Sequence, residues 1–343
     1  MFKHRWLIVA LILGLVAIPS LAAPKKETIR VGYFPNITHA QAVIGIADGT
    51  FQKFLGKEIE IKKFIFNAGP SVIEAMLARQ LDLAYIGPNP AINGYLKTKG
   101  ALLKIIAGSA SGGAALVIRS DLGIGDVKQL AGLKLASPQI GNTQDVALRH
   151  YLKDNGFKLQ EQGGTVEVLP IANPDQLNLF LKKEIDGAWT VEPWVSRLVD
   201  EAGGVVFLDE RSLWPKGQFV TAHIIATQTY LKKYPKQVKK WLQAHVQITR
   251  NLNANKTEAI RRLNQELKKI TGSPLPEKII NRAFENLNLT YDPLPQSLYV
   301  SAERAYDLGF LGKDKPDLSQ IYDLHLLNEV LRELKLPELD KVK

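Results

Sequence analysis

Four stretches of the chain gather short polar side chains in a way that suits holding an anion. They are Tyr33-Phe34-Pro35-Asn36-Ile37-Thr38-His39, Gly87-Pro88-Asn89-Pro90, Gly108-Ser109-Ala110-Ser111-Gly112-Gly113 and Ser137-Pro138-Gln139-Ile140-Gly141-Asn142-Thr143-Gln144-Asp145. Hydroxyls, amides and bare backbone N–H groups dominate, and carboxylates are almost absent. At a helix start the first N–H groups lack partners, so such a donor set makes a non-covalent oxyanion cradle. Each stretch taken alone reads as an ordinary helix cap or turn. The case rests on the recurrence of the pattern at strand ends. A fifth stretch, Asp186-Gly187-Ala188-Trp189-Thr190-Val191-Glu192-Pro193-Trp194, brings two large aromatics and an acid to a crevice edge. Alternation puts Trp189 on a buried face and leaves Trp194 as the pocket residue. Glu192 is either a pocket acid or a partner for a helix dipole.

Other chemistries find little support. The 343 residues contain no cysteine, which excludes disulfides, thiolate metal sites, cysteine nucleophiles and a lipidated N-terminal Cys. The six histidines are scattered without the i, i+4 spacing of a helical two-His metal site. No GxGxxG, GxxxxGK[ST] or GxSxG occurs. His39 at a helix start and His223 in a strand read as structural residues. A formal charge of +10 favours small anions, and its dispersal argues against nucleic acid.

The elements that must position these stretches alternate. Short β-rich runs are expected at Thr28–Tyr33, Glu58–Phe66, Asp82–Ile86, Leu103–Gly108, Ala114–Arg119, Leu133–Ala136, Val166–Leu169, Gly187–Thr190, Val205–Leu208 and Phe219–Ala226. Helical periodicity lies between them, as at His39–Asp48, Ser71–Gln80, Thr143–Asn155 and Gln176–Glu184. This alternation predicts α/β layers with mostly parallel sheets. From Thr229 onward the chain reads as charged helices, among them Tyr234–Leu252, Thr257–Ile270 and Glu277–Asn286. The length suits two lobes, with crossovers expected near Gly112–Ala114 and Trp214–Phe219.

At the N-terminus, Lys3, His4 and Arg5 precede an apolar run from Trp6 to Ile18, followed by Pro19 and Ser20-Leu21-Ala22-Ala23. A basic start, a short apolar run and small residues define a secretory leader, expected to be residues 1–22 and cleaved near Ala22. The run is shorter than the roughly 20 residues that span a bilayer. A periplasmic location is therefore expected.

Tyr33–Gly45, Ala84–Pro90, Ser137–Asp145 and Gly187–Trp194 together resemble the nitrate/sulfonate/taurine branch of bacterial ABC-transporter solute-binding proteins, and above all its aliphatic sulfonate-binding group. The resemblance runs in order along essentially the whole mature chain. It implies a two-lobe α/β periplasmic binding protein of type II, with two crossovers and a C-terminal helical extension. Lobe I would comprise 27–113 and 217–343, and lobe II 114–216. It further implies a monomer without cofactor, metal or catalysis, which hands a small anionic ligand, an alkanesulfonate, to an inner-membrane ABC permease. The oxygens of the ligand would be held by Asn36, Thr38, Asn89, Ser111, Gly112, Asn142 and Thr143. Gln139, Glu192 and Trp194 would face the alkyl tail, with Tyr33 and Phe34 beside Trp194. No arginine stands at these junctions, which leaves charge neutralisation to helix dipoles. Nitrate, taurine, bicarbonate and a thiamine-pyrimidine precursor are the alternative ligands, and a periplasmic enzyme of related fold is the alternative activity. Taurine would need Glu192 for its amine.

Overall fold

The computed structural model describes residues 26–340, so the expected leader lies outside the described residues. Eleven strands form two sheets. The first contains β1 (Glu27–Tyr33), β2 (Ile59–Ile65), β3 (Leu83–Ile86), β4 (Leu103–Gly112), β10 (Val220–Thr227) and β11 (Leu287–Leu289), in the order β11-β4-β10-β3-β1-β2. The second contains β5 (Ala114–Arg119), β6 (Lys134–Ser137), β7 (Glu167–Pro170), β8 (Gly187–Val191) and β9 (Gly204–Asp209), in the order β7-β6-β8-β5-β9.

All ten expected strands are present, but the expectation of mostly parallel sheets is corrected. β10 runs antiparallel to β3 and β4, and β5 runs antiparallel to β8 and β9. The cause is the traffic between sheets. β1 and β3 end at the cleft, whereas β5 and β10 have just crossed it and run outward from it. The first crossing is tight: Gly112 and Gly113 both take left-handed backbone, at φ 75° and 74°, where a side chain would be strained. The second runs from Asp209 to Val220 through short 3-10 turns at Glu210–Leu213 and Pro215–Gly217.

Helices cover both faces of each sheet. On the first sheet, α1 (Ala40–Ala47), α2 (Thr50–Leu55), α8 (Gln228–Lys233), α9 (Pro235–Ala254), α10 (Lys256–Thr271), α11 (Glu277–Glu285) and α13 (His325–Glu333) share the larger core, where Phe51 stacks on Trp241 at 3.7 Å. The opposite face packs α3 (Gly69–Leu77), α4 (Pro88–Lys97) and α12 (Pro295–Asp307). On the second sheet α5 (Thr143–Asp154) covers one face, and α6 (Asn173–Leu181) and α7 (Trp194–Ala202) cover the other. Apolar faces on both sides of a sheet explain why central strands such as β3 and β8 are buried at every position. Among the described residues no helix is long and apolar enough to cross a membrane.

Candidate functional site

The carboxyl ends of β1, β3, β6 and β8 face one another across the boundary between the sheets, and the polar stretches follow those ends. Two cavities lie along this boundary. One is roomy and largely apolar, the other tight and polar.

The roomy cavity measures about 380 Å3 and opens beyond the ends of β1 and β2. Phe34, Asn36, Phe66 and Asn67 line it from the first sheet, and Trp194 and Arg197 from the second, with Asn173 at the start of α6. Trp194 Nε1 donates to Asn36 Oδ1 at 3.3 Å, so the two sides touch. The Arg197 guanidinium lies 4.8 Å from the centre of the Trp194 ring and pairs with Glu201 at 2.9 Å. Arg197 is the one charged side chain among the described residues lining this cavity. The β1 loop that carries Phe34 and Asn36 is shaped by His39. Phe34 N–H donates to His39 Nδ1 at 3.1 Å, and the two rings stack at 4.5 Å. Burial pushes the His39 pKa down to about 3, so the ring is a neutral acceptor.

The tight cavity lies between the N-terminal ends of α4 and α5, under α12. Its lining includes Pro88, Thr143, Glu210, Trp214, Ser301 and Arg304, and its volume of about 10 Å3 is the size of one water. Thr143 is the first residue of α5, and its buried Oγ1 has no hydrogen-bond partner. Asn142, extended at φ −72° and ψ 166°, stands at the cap position without capping the helix through its side chain. The two helix starts approach closely because Gly87 has no side chain; a Cβ there would lie 2.4 Å from Thr143 Oγ1. Glu210 is fully buried and accepts from Trp189 Nε1 at 2.8 Å and Trp214 Nε1 at 3.3 Å. Desolvation pushes its pKa up to about 7, against the pull of the two indoles. Arg304 stacks over the Trp214 ring at 4.2 Å.

The remaining candidates are placed unevenly. Asn89 Oδ1 accepts from Ser301 Oγ at 2.7 Å beside the tight cavity, where Ser301 is a lining residue. Thr38 is buried in a 3-10 turn, and its carbonyl accepts from Ser109 Oγ at 3.1 Å. Ser111 and Gly112 end the ten-residue β4 and open no helix, which corrects the expectation of a helix start there. Gly112 N–H donates to Phe219 O at 3.2 Å, and its carbonyl accepts from Thr221 Oγ1 at 2.5 Å. Gln139 is exposed on the loop before α5. Glu192 is fully buried and already engaged: Oε1 accepts from Asn286 Nδ2 at 2.6 Å and Ser196 Oγ at 3.0 Å, and Oε2 from Ser196 N–H at 3.1 Å. Burial raises its pKa, and these donors oppose the rise.

Sequence reasoning missed Asn67, Arg197, Glu210 and Arg304. Arg197 had a signal, since it lies one helical turn beyond Trp194 and so shares its face. Arg304 had none, because it comes from a helix more than a hundred residues away in sequence from the stretches it faces.

Two lobed sheets with interleaved crossovers and a cleft at strand ends define the type II periplasmic binding protein fold. The chain belongs to the NMT1-like family, matched over residues 22–267. Sequences from Brucella abortus and Brucella suis, described only as binding proteins, are 28% identical over 235 residues, covering 68% of this chain and 69% of theirs. Among solved structures, the periplasmic aliphatic sulphonate binding protein of Escherichia coli superposes with a TM-score of 0.69 at 20% identity, covering 86% of this chain and 97% of that one. The alkanesulfonate-binding protein of Xanthomonas axonopodis, bound to MOPS, gives 0.68 at 18%, with 85% and 96% covered. The periplasmic nitrate-binding protein of Synechocystis gives 0.75 at 16%, with 92% and 91% covered. At these identities the structures bear on the fold.

Proposed function

We propose that this protein is the periplasmic solute-binding component of an ABC importer and captures an aliphatic sulfonate between its lobes. Lobe I comprises 27–113 and 217–343, and lobe II 114–216. The observation that carries the reading is the pairing of an apolar cavity of about 380 Å3, free of acids among its described lining, with the unpartnered Thr143 hydroxyl at the start of α5. Along the first sheet, β10 and β3 flank the tight cavity and β1 and β2 the roomy one, a separation of roughly 10 Å at two strand spacings. An anionic head and an apolar tail match the two ends.

The sulfonate head accepts hydrogen bonds from Thr143 and the free N–H groups of α5, with Asn142 and Asn89 beside it. The positive end of the helix favours its charge. Phe34, Phe66 and Trp194 take the tail. Asn36 and Trp194, one from each lobe, sense closure, and the ligand favours the closed state by contacts available only there. The protein acts as an exported monomer that hands its ligand to a membrane permease and performs no chemistry on it. Glu192, committed to Ser196 and Asn286, is a poor partner for an amine, which weighs against taurine.

Thermal unfolding of ligand-stripped protein tests this reading. Methane- to octanesulfonate would be compared with taurine, nitrate, sulfate, bicarbonate and a thiamine-pyrimidine precursor. A ligand at a hundred times its dissociation constant adds about 2.7 kcal/mol, a shift of several degrees. The expected result is a shift that peaks at one sulfonate chain length. Shifts only with inorganic anions would move the protein to the nitrate or bicarbonate class.

A further inference from the structure

We propose that Arg304, carried on α12 beyond the residues matched to the family, is the counter-charge for the ligand's anionic group, and that Glu210 competes with the ligand for it. The inference rests on the sulfonate reading above and adds to it the residue that sets selectivity for a negative charge.

Three observations meet in the tight cavity. Among the described residues no hydrogen bond or ion pair engages the Arg304 guanidinium, which is half-buried, stacks on Trp214 and lines the cavity. A guanidinium presents five donors, and here all of them remain available to a ligand oxygen. Thr143 Oγ1, on a residue only 5% exposed, lines the same cavity without a partner. The cavity between them has the volume of one water, which is room for one oxygen of an oxyanion at the start of α5. The donors at this end are therefore a helix N-terminus, a hydroxyl and an arginine, all converging on one oxygen-sized space.

Glu210 lines that space from the second crossover. When ionised it draws on the same arginine, so carboxylate and ligand compete for one positive charge. Burial pushes its pKa up to about 7 and lowers that of Arg304. The other charged groups near the pair are Asp209, held by Arg211 on the crossover, and His150 and Asp154 on α5; Asp307 follows Arg304 on its own helix. With Glu210 protonated, Arg304 is left to the ligand. Anion affinity should thus be highest below pH 7 and fall as the pH rises through it.

Calorimetric titration with hexanesulfonate and with nitrate, at pH 6 and pH 8, tests the inference on the ligand-stripped protein and three variants. Arg304→Gln is expected to weaken hexanesulfonate binding roughly tenfold or more, the loss of one charge-assisted contact. Arg304→Lys should recover part of the loss, and unchanged melting temperatures would show that both fold. Glu210→Gln should keep the affinity seen at pH 6 and abolish its decline at pH 8. Binding that survives Arg304→Gln within twofold overturns this inference and leaves the sulfonate reading standing. Failure of both anions to bind the unaltered protein contradicts the reading, and this inference with it.

Discussion

The two ends of the cleft solve different problems with different materials. At the roomy end the lobes meet through aromatic rings and amides, around space for a tail. At the tight end they meet through a helix start, a buried carboxyl group and an arginine, around space for a single atom. Apolar contact is tolerant of shape, so under the proposed function the first end would set how large a ligand is accepted. Buried polar groups are intolerant of missing partners, so under the proposed function the second would set what kind of ligand is accepted.

The largest expected effect separates the ends by pH. His39, His223 and His245 are buried, and burial pushes their pKa values down to about 3, 4 and 4. The unfolded chain takes up protons near pH 6.5 while the native state does not. Stability is therefore full above that pH and falls as the pH drops towards 4, by about 1.4 kcal/mol per pH unit for each histidine. Denaturant titrations across pH 7 to 4 would measure it. Because His39 supports Phe34, the roomy end should loosen with the acid limb. Glu210 acts with the opposite sign: its raised pKa means that stability is lost as the pH climbs from the ordinary carboxyl range to about 7, and stays level above it. Glu210→Gln should therefore raise stability at pH 8 and leave it unchanged at pH 4.

Next in size is Thr143→Val, which keeps the shape of the side chain and removes its hydroxyl. Affinity for every sulfonate should fall by about 1–2 kcal/mol irrespective of chain length. Trp194→Ala should do the converse. Long-chain sulfonates lose about 1–3 kcal/mol of apolar contact and methanesulfonate loses little, so the dependence on chain length flattens. Calorimetry over the series distinguishes the two patterns.

The smallest effect is expected away from both cavities. Asp200 on α7 pairs with Lys278 at 2.8 Å and Arg282 at 3.0 Å on α11, across the lobes. Asp200→Asn should weaken binding only a few-fold, by lowering the closed fraction. Small-angle scattering would show the ligand-free protein more open.

The parts legible in the sequence were those written in local pattern. Alternation located ten strands, and Asn142-Thr143 advertised a helix start at a strand end. β11 was missed because three residues, Leu287–Leu289, carry too little pattern and owe their conformation to pairing with β4. Strand direction was misjudged although crossings were expected just before β5 and β10, because the direction in which a strand pairs is set by its neighbours in the sheet and not by local pattern. Within the site, Glu192 read as either a pocket acid or a partner for a helix dipole; the structure commits it to Ser196 in the first turn of α7 and to Asn286, a contact distant in sequence. Arg304 was invisible for the same reason: only the fold brings α12 over α5.

The most direct measurement is a crystal structure of the protein grown with hexanesulfonate. The account predicts the sulfur beside Thr143 Oγ1 and the first N–H groups of α5, with the alkyl chain running towards Phe34 and Trp194. A sulfonate seated on Arg197 with its tail towards Arg304, or a cleft left without sulfonate at saturating concentration, would contradict it.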